Sequence, residues 1–202
     1  MPSVYQLKPA FQRALRPVVG GLAAAGVTAN AVTAAAAVLS IGVGAAVALG
    51  SDQTWPLVAV PVFLFVRMAL NAIDGMLARE HGQQSRLGAI LNELGDVVSD
   101  AALYLPFALV AGFEPALVVA VVVLAVVSEM TGVVAVQIGA SRRYDGPMGK
   151  SDRVVVFGAL ALWAAFGSPA AWVGTTALAG TGLLLVLTVV NRARNALKEG
   201  AL

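Results

Sequence analysis

Residues 71–100 read NAIDGMLAREHGQQSRLGAILNELGDVVSD: two helical runs joined by a short polar turn, with carboxylates and amides three or four residues apart. Both runs sit in apolar surroundings. A charge at bilayer depth costs about 2.5–3.5 kcal/mol or more, so unpaired acids are not kept there for solubility. Asp74, Glu93, Asp96 and Asp100 crowd into this one region. Their density calls for a cation among them, and a divalent metal is the first expectation.

The composition narrows which metal and which protein class. Of 202 residues, 59% are hydrophobic and 12% charged, whereas a soluble domain is about 25% charged. With a mean hydropathy of +0.85, the chain reads as a multi-span membrane protein. There is no cysteine and a single histidine, His81. Thiolate catalysis, disulfides and histidine-built metal sites are thereby excluded, leaving oxygen ligands and hard cations such as magnesium, manganese or calcium. The N-terminal stretch MPSVYQLKPAFQRALRPVV lacks the long apolar core of a cleavable signal. No Walker loop, dinucleotide glycine fingerprint or catalytic triad is present, no internal repeat is evident, and no nucleic-acid partner is expected.

Six apolar segments, near 28–50, 55–80, 86–112, 115–139, 152–167 and 169–191, are read as spans of a bilayer core about 30 Å thick. The fifth is short. Residues 5–20 alternate Lys8, Arg13 and Arg16 with Leu7, Phe11, Leu15 and Val18, as suits an amphipathic surface helix. The expected fold class is thus an all-α integral membrane protein, one domain over 1–202, with six transmembrane helices after an N-terminal amphipathic helix. Lys8, Arg13, Arg16, Arg79, Arg86, Arg142, Arg143, Lys150, Arg153, Arg192, Arg194 and Lys198 fall on one side of this plan. The opposite loops carry only Asp52 and Glu114. The positive-inside rule places both termini in the cytoplasm, and the basic face favours anionic membrane lipids.

On the second span, Arg67, Asn71, Asp74 and Ala78 share one face. On the third, Asn92, Asp96 and Asp100 repeat every four residues, and Glu93 joins them within about 100° of arc. The short turn between the spans makes them antiparallel neighbours, with both clusters near the cytoplasmic surface. Facing oxygen ligands of this kind can hold metal ions that also bind a substrate's phosphates.

These residues resemble the signature of the CDP-alcohol phosphotransferase (CDP-alcohol phosphatidyltransferase) family, D-x2-D-G-x2-A-R followed after eight residues by G-x3-D-x3-D. In this chain it reads Asn71-x2-Asp74-Gly75-x2-Ala78-Arg79, then Gly88-x3-Asn92-x3-Asp96, with every spacing kept. Thr28-Ala29-Asn30-x2-Thr33 is similar to the T-P-N-x2-T opening of the family's first span, with Ala29 in place of proline. The resemblance implies transfer of a phosphatidyl-type group from a CDP-linked lipid, by default CDP-diacylglycerol, to a small alcohol acceptor with release of CMP. It implies phospholipid biosynthesis, Mg2+ or Mn2+ as cofactor, and a homodimer. Position by position, it makes Asp74 a metal ligand and Asp96 a ligand or the catalytic base. Gly75 and Ala78 would leave room for the cytidine, with Arg79 beside the nucleotide. A bacterial inner membrane is the expected location.

The chain departs from the signature at its first and third aspartates, which are Asn71 and Asn92. An amide oxygen can ligate, but two negative charges are gone. Glu93 and Asp100, on the same arc, are expected to restore them as further metal ligands. The competing readings are a family-fold protein that binds lipid or nucleotide without catalysis, and a small cation transporter. One-sided acids without inverted repeats speak against transport.

Other charges are weighed against plain structural roles. Arg67 and Glu129, both within spans, are expected to be buried in pairs, with each other or with the acidic cluster. In SRRYDGPMGKSDR, residues 141–153, Gly146, Pro147 and Gly149 would shape a turn presenting Lys150 to the donor diphosphate and Arg153 to an anionic acceptor. Arg142 and Arg143 read as lipid head-group contacts. Glu80 and His81 read as a solvated turn, and Trp55, Trp163 and Trp172 as interfacial anchors.

Overall fold

The computed structural model describes residues 8–167 and 170–200, so residues 5–7 of the expected surface helix and residue 169 of the last expected span lie outside it. Its elements are helices α1 (Lys8–Ala24), α2 (Ala29–Leu49), α3 (Thr54–Glu80), α4 (Arg86–Tyr104), α5 (Pro115–Val134), α6 (Lys150–Phe166) and α7 (Ala171–Glu199). Short 3-10 turns follow α4 (Leu105–Leu109) and α5 (Ala135–Ile138). No strand occurs among the described residues. The fold is all-α, and four of its stretches are long and apolar enough to cross a membrane: Ala29–Leu49, Thr54–Glu80, Pro115–Ile138 and Ala171–Glu199. Large apolar side chains such as Val62, Phe65, Leu183 and Phe166 remain exposed, as lipid-facing surfaces require.

The helix boundaries have local causes. Gly26, at φ +74°, ends α1. Its N–H donates to the Ala23 carbonyl at 3.0 Å, and the Val27 N–H to the Leu22 carbonyl at 2.9 Å, the paired bonds of a Schellman cap. Thr28 then opens α2: its Oγ1 accepts from the Ala31 N–H at 3.1 Å. Ser85 does the same for α4, accepting from the Gly88 N–H at 2.9 Å. The third apolar run was read to residue 112, but α4 stops at Tyr104. Pro106 lacks an N–H and disfavours α geometry in the residue before it, so the chain tightens into a 3-10 turn. At the other end α7 outruns the expected 191 and reaches Glu199, because its polar last turns are packed on protein: Arg192 and Ala196 are buried.

By contacts the chain divides into two compact units. The first joins residues up to 42 with 63–99. Its apolar centre is Val19, Ala29, Val32, Ile73, Met76 and Leu77, with Leu15, Leu22, Leu70 and Ala78 packed around them. The second joins 43–62 with residues from 100 onward. Its core holds Tyr104 stacked on Phe157 at 3.9 Å between ring centroids, with Phe107 edge-on to both Phe157 and Phe113. Gly44 of α2 is buried where a side chain would strike the Ala102 carbonyl of α4. That contact brings the two helix backbones close, as small residues permit in lipid.

Candidate active site

In the first unit α3 and α4 bring two of the signature residues, Asn71 and Asp96, into contact. Asp74 is buried, and its Oδ2 accepts a 2.7 Å hydrogen bond from Thr33 Oγ1 of α2. Asn71 Nδ2 donates to Asp96 Oδ1 at 3.2 Å, which ties α3 to α4. Arg67, only 2% exposed, places Nη2 3.1 Å from the Asp96 carbonyl and 3.6 Å from its Oδ1. Arg67 therefore pairs with the acidic cluster, one of the two partners expected for it. Asn92 is exposed and Glu93 half-buried on α4.

The glycines show why the motif spacing exists. A side chain at Gly88 would come within 2.7 Å of Asn30 Oδ1, and one at Gly95 within 3.4 Å of Thr33. The T-x-N-x2-T segment of α2 thus lies directly against α4. At Gly75 the vacant space is covered by the Arg79 guanidinium, whose Nη2 would stand 3.0 Å from an added Cβ. Ala78 packs against the apolar centre of this unit, so its small size serves helix packing there. The proline-to-alanine departure also has a use. The Ala29 N–H donates to Gln83 Oε1 at 2.6 Å, a bond that proline cannot make. Gln83 Nε2 in turn reaches the Val27 carbonyl at 3.4 Å, pinning the α3–α4 turn to the start of α2.

In the second unit Asp100 meets a different partner from the expected metal. Its Oδ2 accepts from Arg153 Nη2 at 2.8 Å and from Nε at 3.2 Å, with both side chains buried. Arg153 Nη2 also lies 3.0 Å from Glu129 Oε1. Glu129 Oε2 takes Arg142 Nη2 at 3.0 Å and Arg192 Nη1 at 3.4 Å. Glu129 is thus paired within its own unit, to three guanidiniums. Arg153 Nη1 is buried without a hydrogen-bond partner among the described residues. Lys150, the first residue of α6, is half-buried.

The loop after α5 is held from both ends. Arg142 sits 4.4 Å over the Tyr144 ring. Arg143 pairs with Asp145 at 2.8 Å and Glu199 at 2.6 Å. Both arginines were read as lipid contacts and instead bind carboxylates of the protein, because Glu129 and Glu199 stand within reach. Partial burial pushes the Asp145 carboxyl up, but hydrogen bonds from Asn195 and the backbone and the Arg143 guanidinium outweigh it, holding it below the usual value. The Met148 N–H donates to Thr188 Oγ1 at 2.9 Å, and the Gly149 N–H to Asp152 Oδ2 at 2.9 Å, capping α6.

Among the described residues no group of three or more His, Asp or Glu side chains gathers closely enough to hold a metal alone. A metal set here needs the Asp74 and Asp96 carboxylates with amide oxygens from Asn71 and Asn92, all hard oxygen donors. Residue types at helical spacing revealed these positions. Thr33 as the hydrogen-bond partner of Asp74, and Arg192 as a partner of Glu129, did not emerge from the sequence. The available signal for the second was a glutamate inside a span, which demands cations nearby.

Residues 26–190 match the family model described as CDP-alcohol phosphatidyltransferase. The chain is 44% identical over 202 residues to the Escherichia coli K12 inner membrane protein YnbA, covering 98% of each. It is 31% identical over 162 residues to the phosphatidylinositol phosphate synthase of Mycolicibacterium smegmatis, covering 77% of this chain and 71% of that one. Among solved structures, the Mycobacterium tuberculosis phosphatidylinositol phosphate synthase PgsA1 with CDP-DAG bound matches at TM-score 0.77 and 21% identity, over 92% of this chain and 94% of that one. The same protein in complex with manganese and citrate matches at TM-score 0.74 and 21% identity, over 89% and 87%. At that identity the likeness establishes the fold.

Proposed function

The chain belongs to the CDP-alcohol phosphatidyltransferase family, and from that premise we propose that it transfers a phosphatidyl group from CDP-diacylglycerol to a small, anionic alcohol, releasing CMP in phospholipid synthesis. The observation that carries this reading is the Asn71–Asp96 hydrogen bond at 3.2 Å, which joins the two halves of the signature across α3 and α4. A relative captured with CDP-DAG and others named phosphatidylinositol phosphate synthases support the donor and an acceptor bearing phosphate.

The donor set fits a hard divalent ion, since Asp74, Asp96, Asn71 and Asn92 offer only oxygen. Half-buried Glu93 is a further candidate ligand, and the manganese complex of a relative accords with this assignment. When bound, Mg2+ or Mn2+ supplies positive charge to the diphosphate and to the departing phosphate. Asp96 accepts the proton of the acceptor hydroxyl as its oxygen attacks the lipid-bearing phosphorus. The bond from that phosphorus to the bridging oxygen breaks, and CMP leaves with the oxygen. Thr33 holds Asp74 in place through its hydroxyl. Arg79, whose guanidinium covers Gly75, would receive the nucleotide, and Lys150 the diphosphate. Arg153 is the candidate for the acceptor's negative charge, because its buried Nη1 lacks a protein acceptor. Asp100, bonded to Arg153, orients that guanidinium instead of serving as a ligand.

In the membrane, α4 and α6 complete six spans, α1 lies on the surface, and both termini face the cytoplasm. The short α6, 17 residues, spans about 25 Å and suits a thinned or tilted crossing. Three helices contribute to both compact units, which supports reading the chain as one membrane domain of an inner-membrane enzyme. The homodimer implied by the family resemblance goes with this reading.

Purified protein in detergent, given CDP-diacylglycerol, Mn2+ and a panel of alcohols, should release CMP with one acceptor class. Asp96→Asn should lower that rate by about 100-fold or more. No CMP release with any acceptor would defeat the reading.

A further inference from the structure

We propose that Glu129 governs acceptor binding: its carboxylate is an internal anion seated among three arginines, and the acceptor's phosphate displaces it to bind. The inference deepens the acceptor assignment of the transferase reading and rests on it. Glu129 Oε1 receives Arg153 Nη2 at 3.0 Å. Its Oε2 receives Arg142 Nη2 at 3.0 Å and stands 3.4 Å from Arg192 Nη1. All four residues belong to the second unit. Arg153 and Arg192 are buried, so solvent touches the cluster chiefly at Glu129 and Arg142, whose side chains are 12% and 17% exposed.

Each guanidinium has an anchor besides Glu129. Arg153 gives Nε and Nη2 to Asp100. Arg192 gives Nε to the Asp145 carbonyl at 3.1 Å and Nη1 to the Ser128 carbonyl at 2.5 Å. Arg142 gives Nη1 to the Arg143 carbonyl at 2.6 Å and lies over the Tyr144 ring. The three cations therefore keep their places when the carboxylate turns away, and a preformed anion site remains. The internal occupant also leaves a donor over. A carboxylate has two oxygens, and Arg153 Nη1 stays buried without an acceptor among the described residues. A phosphate monoester brings three free oxygens and a larger charge, which guanidiniums match through paired N–H donors. It can serve Nη1 as well as the three nitrogens that Glu129 now holds. Phosphate and carboxylate repel each other at such close range, so the Glu129 charge weakens phosphate binding. It also keeps the arginines paired within an apolar span while no acceptor is bound.

The test titrates inorganic phosphate into the full chain in phosphate-free detergent buffer, by calorimetry and thermal unfolding. Glu129→Gln should bind phosphate at least about tenfold more tightly than wild type, because a like charge has been removed. Phosphate should also restore the melting temperature that Glu129→Gln loses, since a ligand held by the folded state stabilises it. Should Glu129→Gln fail to fold, Glu129→Asp, whose carboxylate is one methylene shorter, should still bind phosphate more tightly than wild type. Glycerol phosphate in solution and phosphatidate in the micelles, run as separate arms, distinguish an acceptor from a lipid head group. The gain should appear with the soluble ester. A gain confined to phosphatidate, or folded variants that bind phosphate no better than wild type, would overturn the inference alone. Absence of CMP release with every acceptor, in wild type and variant, would overturn the transferase reading and the acceptor role with it, even where phosphate binds.

Discussion

Arg153 holds Asp100 through two donors, Nη2 at 2.8 Å and Nε at 3.2 Å, and both side chains are buried. The sequence makes Asp100 a candidate metal ligand, and its ion pair with Arg153 supports an orienting role instead. Removing one partner of a buried pair strands the other charge and costs about 3–5 kcal/mol. Arg153 keeps Glu129 at 3.0 Å, so Asp100→Asn should lower the unfolding free energy by less than that in detergent, while its Mn2+ affinity stays within a factor of two of wild type. A large loss of Mn2+ affinity with unchanged stability would return Asp100 to the metal.

Thr33 offers the complementary case, a neutral residue that acts through the proposed ligand Asp74. Its hydroxyl lies 2.7 Å from Asp74 Oδ2 and 3.1 Å from the Ala29 carbonyl, so its single proton is shared in favour of the shorter bond. Partners that orient metal ligands are typically worth about 10- to 100-fold in metal affinity. Thr33→Val keeps the shape and removes the donor, so Mn2+ should bind at least tenfold more weakly. Thr33→Ser should bind as wild type does. Equal binding by Thr33→Val would show that Asp74 needs no such support.

The absence of cysteine makes the proposed topology directly testable. Asp52 and Gln84 lie in exposed turns at opposite ends of α3. A single cysteine at position 84 should react with a membrane-impermeant maleimide only after spheroplasts are opened. One at position 52 should react in intact spheroplasts. The reverse pattern would invert the orientation assigned by the basic residues.

What the sequence made legible was whatever repeats within one helix. Arg67, Asn71 and Asp74 share a face because 3.6 residues make a turn, and that rule needs no tertiary knowledge. The polar turn of residues 81–85 likewise told that α3 and α4 are neighbours. Contacts between distant segments left little trace: Thr33 and Asp74 stand 41 positions apart, and Ser128 and Arg192 stand 64 apart. The burial of Arg153 was equally hidden, since an arginine in a basic loop resembles any positive-inside residue until its partners are known. The end of α4 was missed for a local reason. The apolar run continues past Tyr104, and hydrophobicity outweighed the single proline that breaks the helix.

Asp145 gives the basic loop a dependence on pH with a definite sign. Its Oδ1 takes Arg143 Nε at 2.8 Å and its Oδ2 takes Asn195 Nδ2 at 2.7 Å, linking the loop to α7. Burial raises its pKa, but the hydrogen bonds from Asn195 and the backbone together with the Arg143 charge outweigh that and carry it below the unfolded value. A depressed carboxyl stabilises the fold fully above its unfolded pKa, about 4, and loses that contribution as pH falls through the lower folded value. The unfolding midpoint of wild type should therefore exceed that of Asp145→Asn by a constant margin from pH 8 down to about 5. The margin should shrink at more acid pH as the wild-type carboxyl takes up its proton. High salt should narrow it at neutral pH too, since the group is partly exposed and its pairing with Arg143 is screened. A margin that widened on acidification would mean that the carboxyl is raised, with burial outweighing its donors.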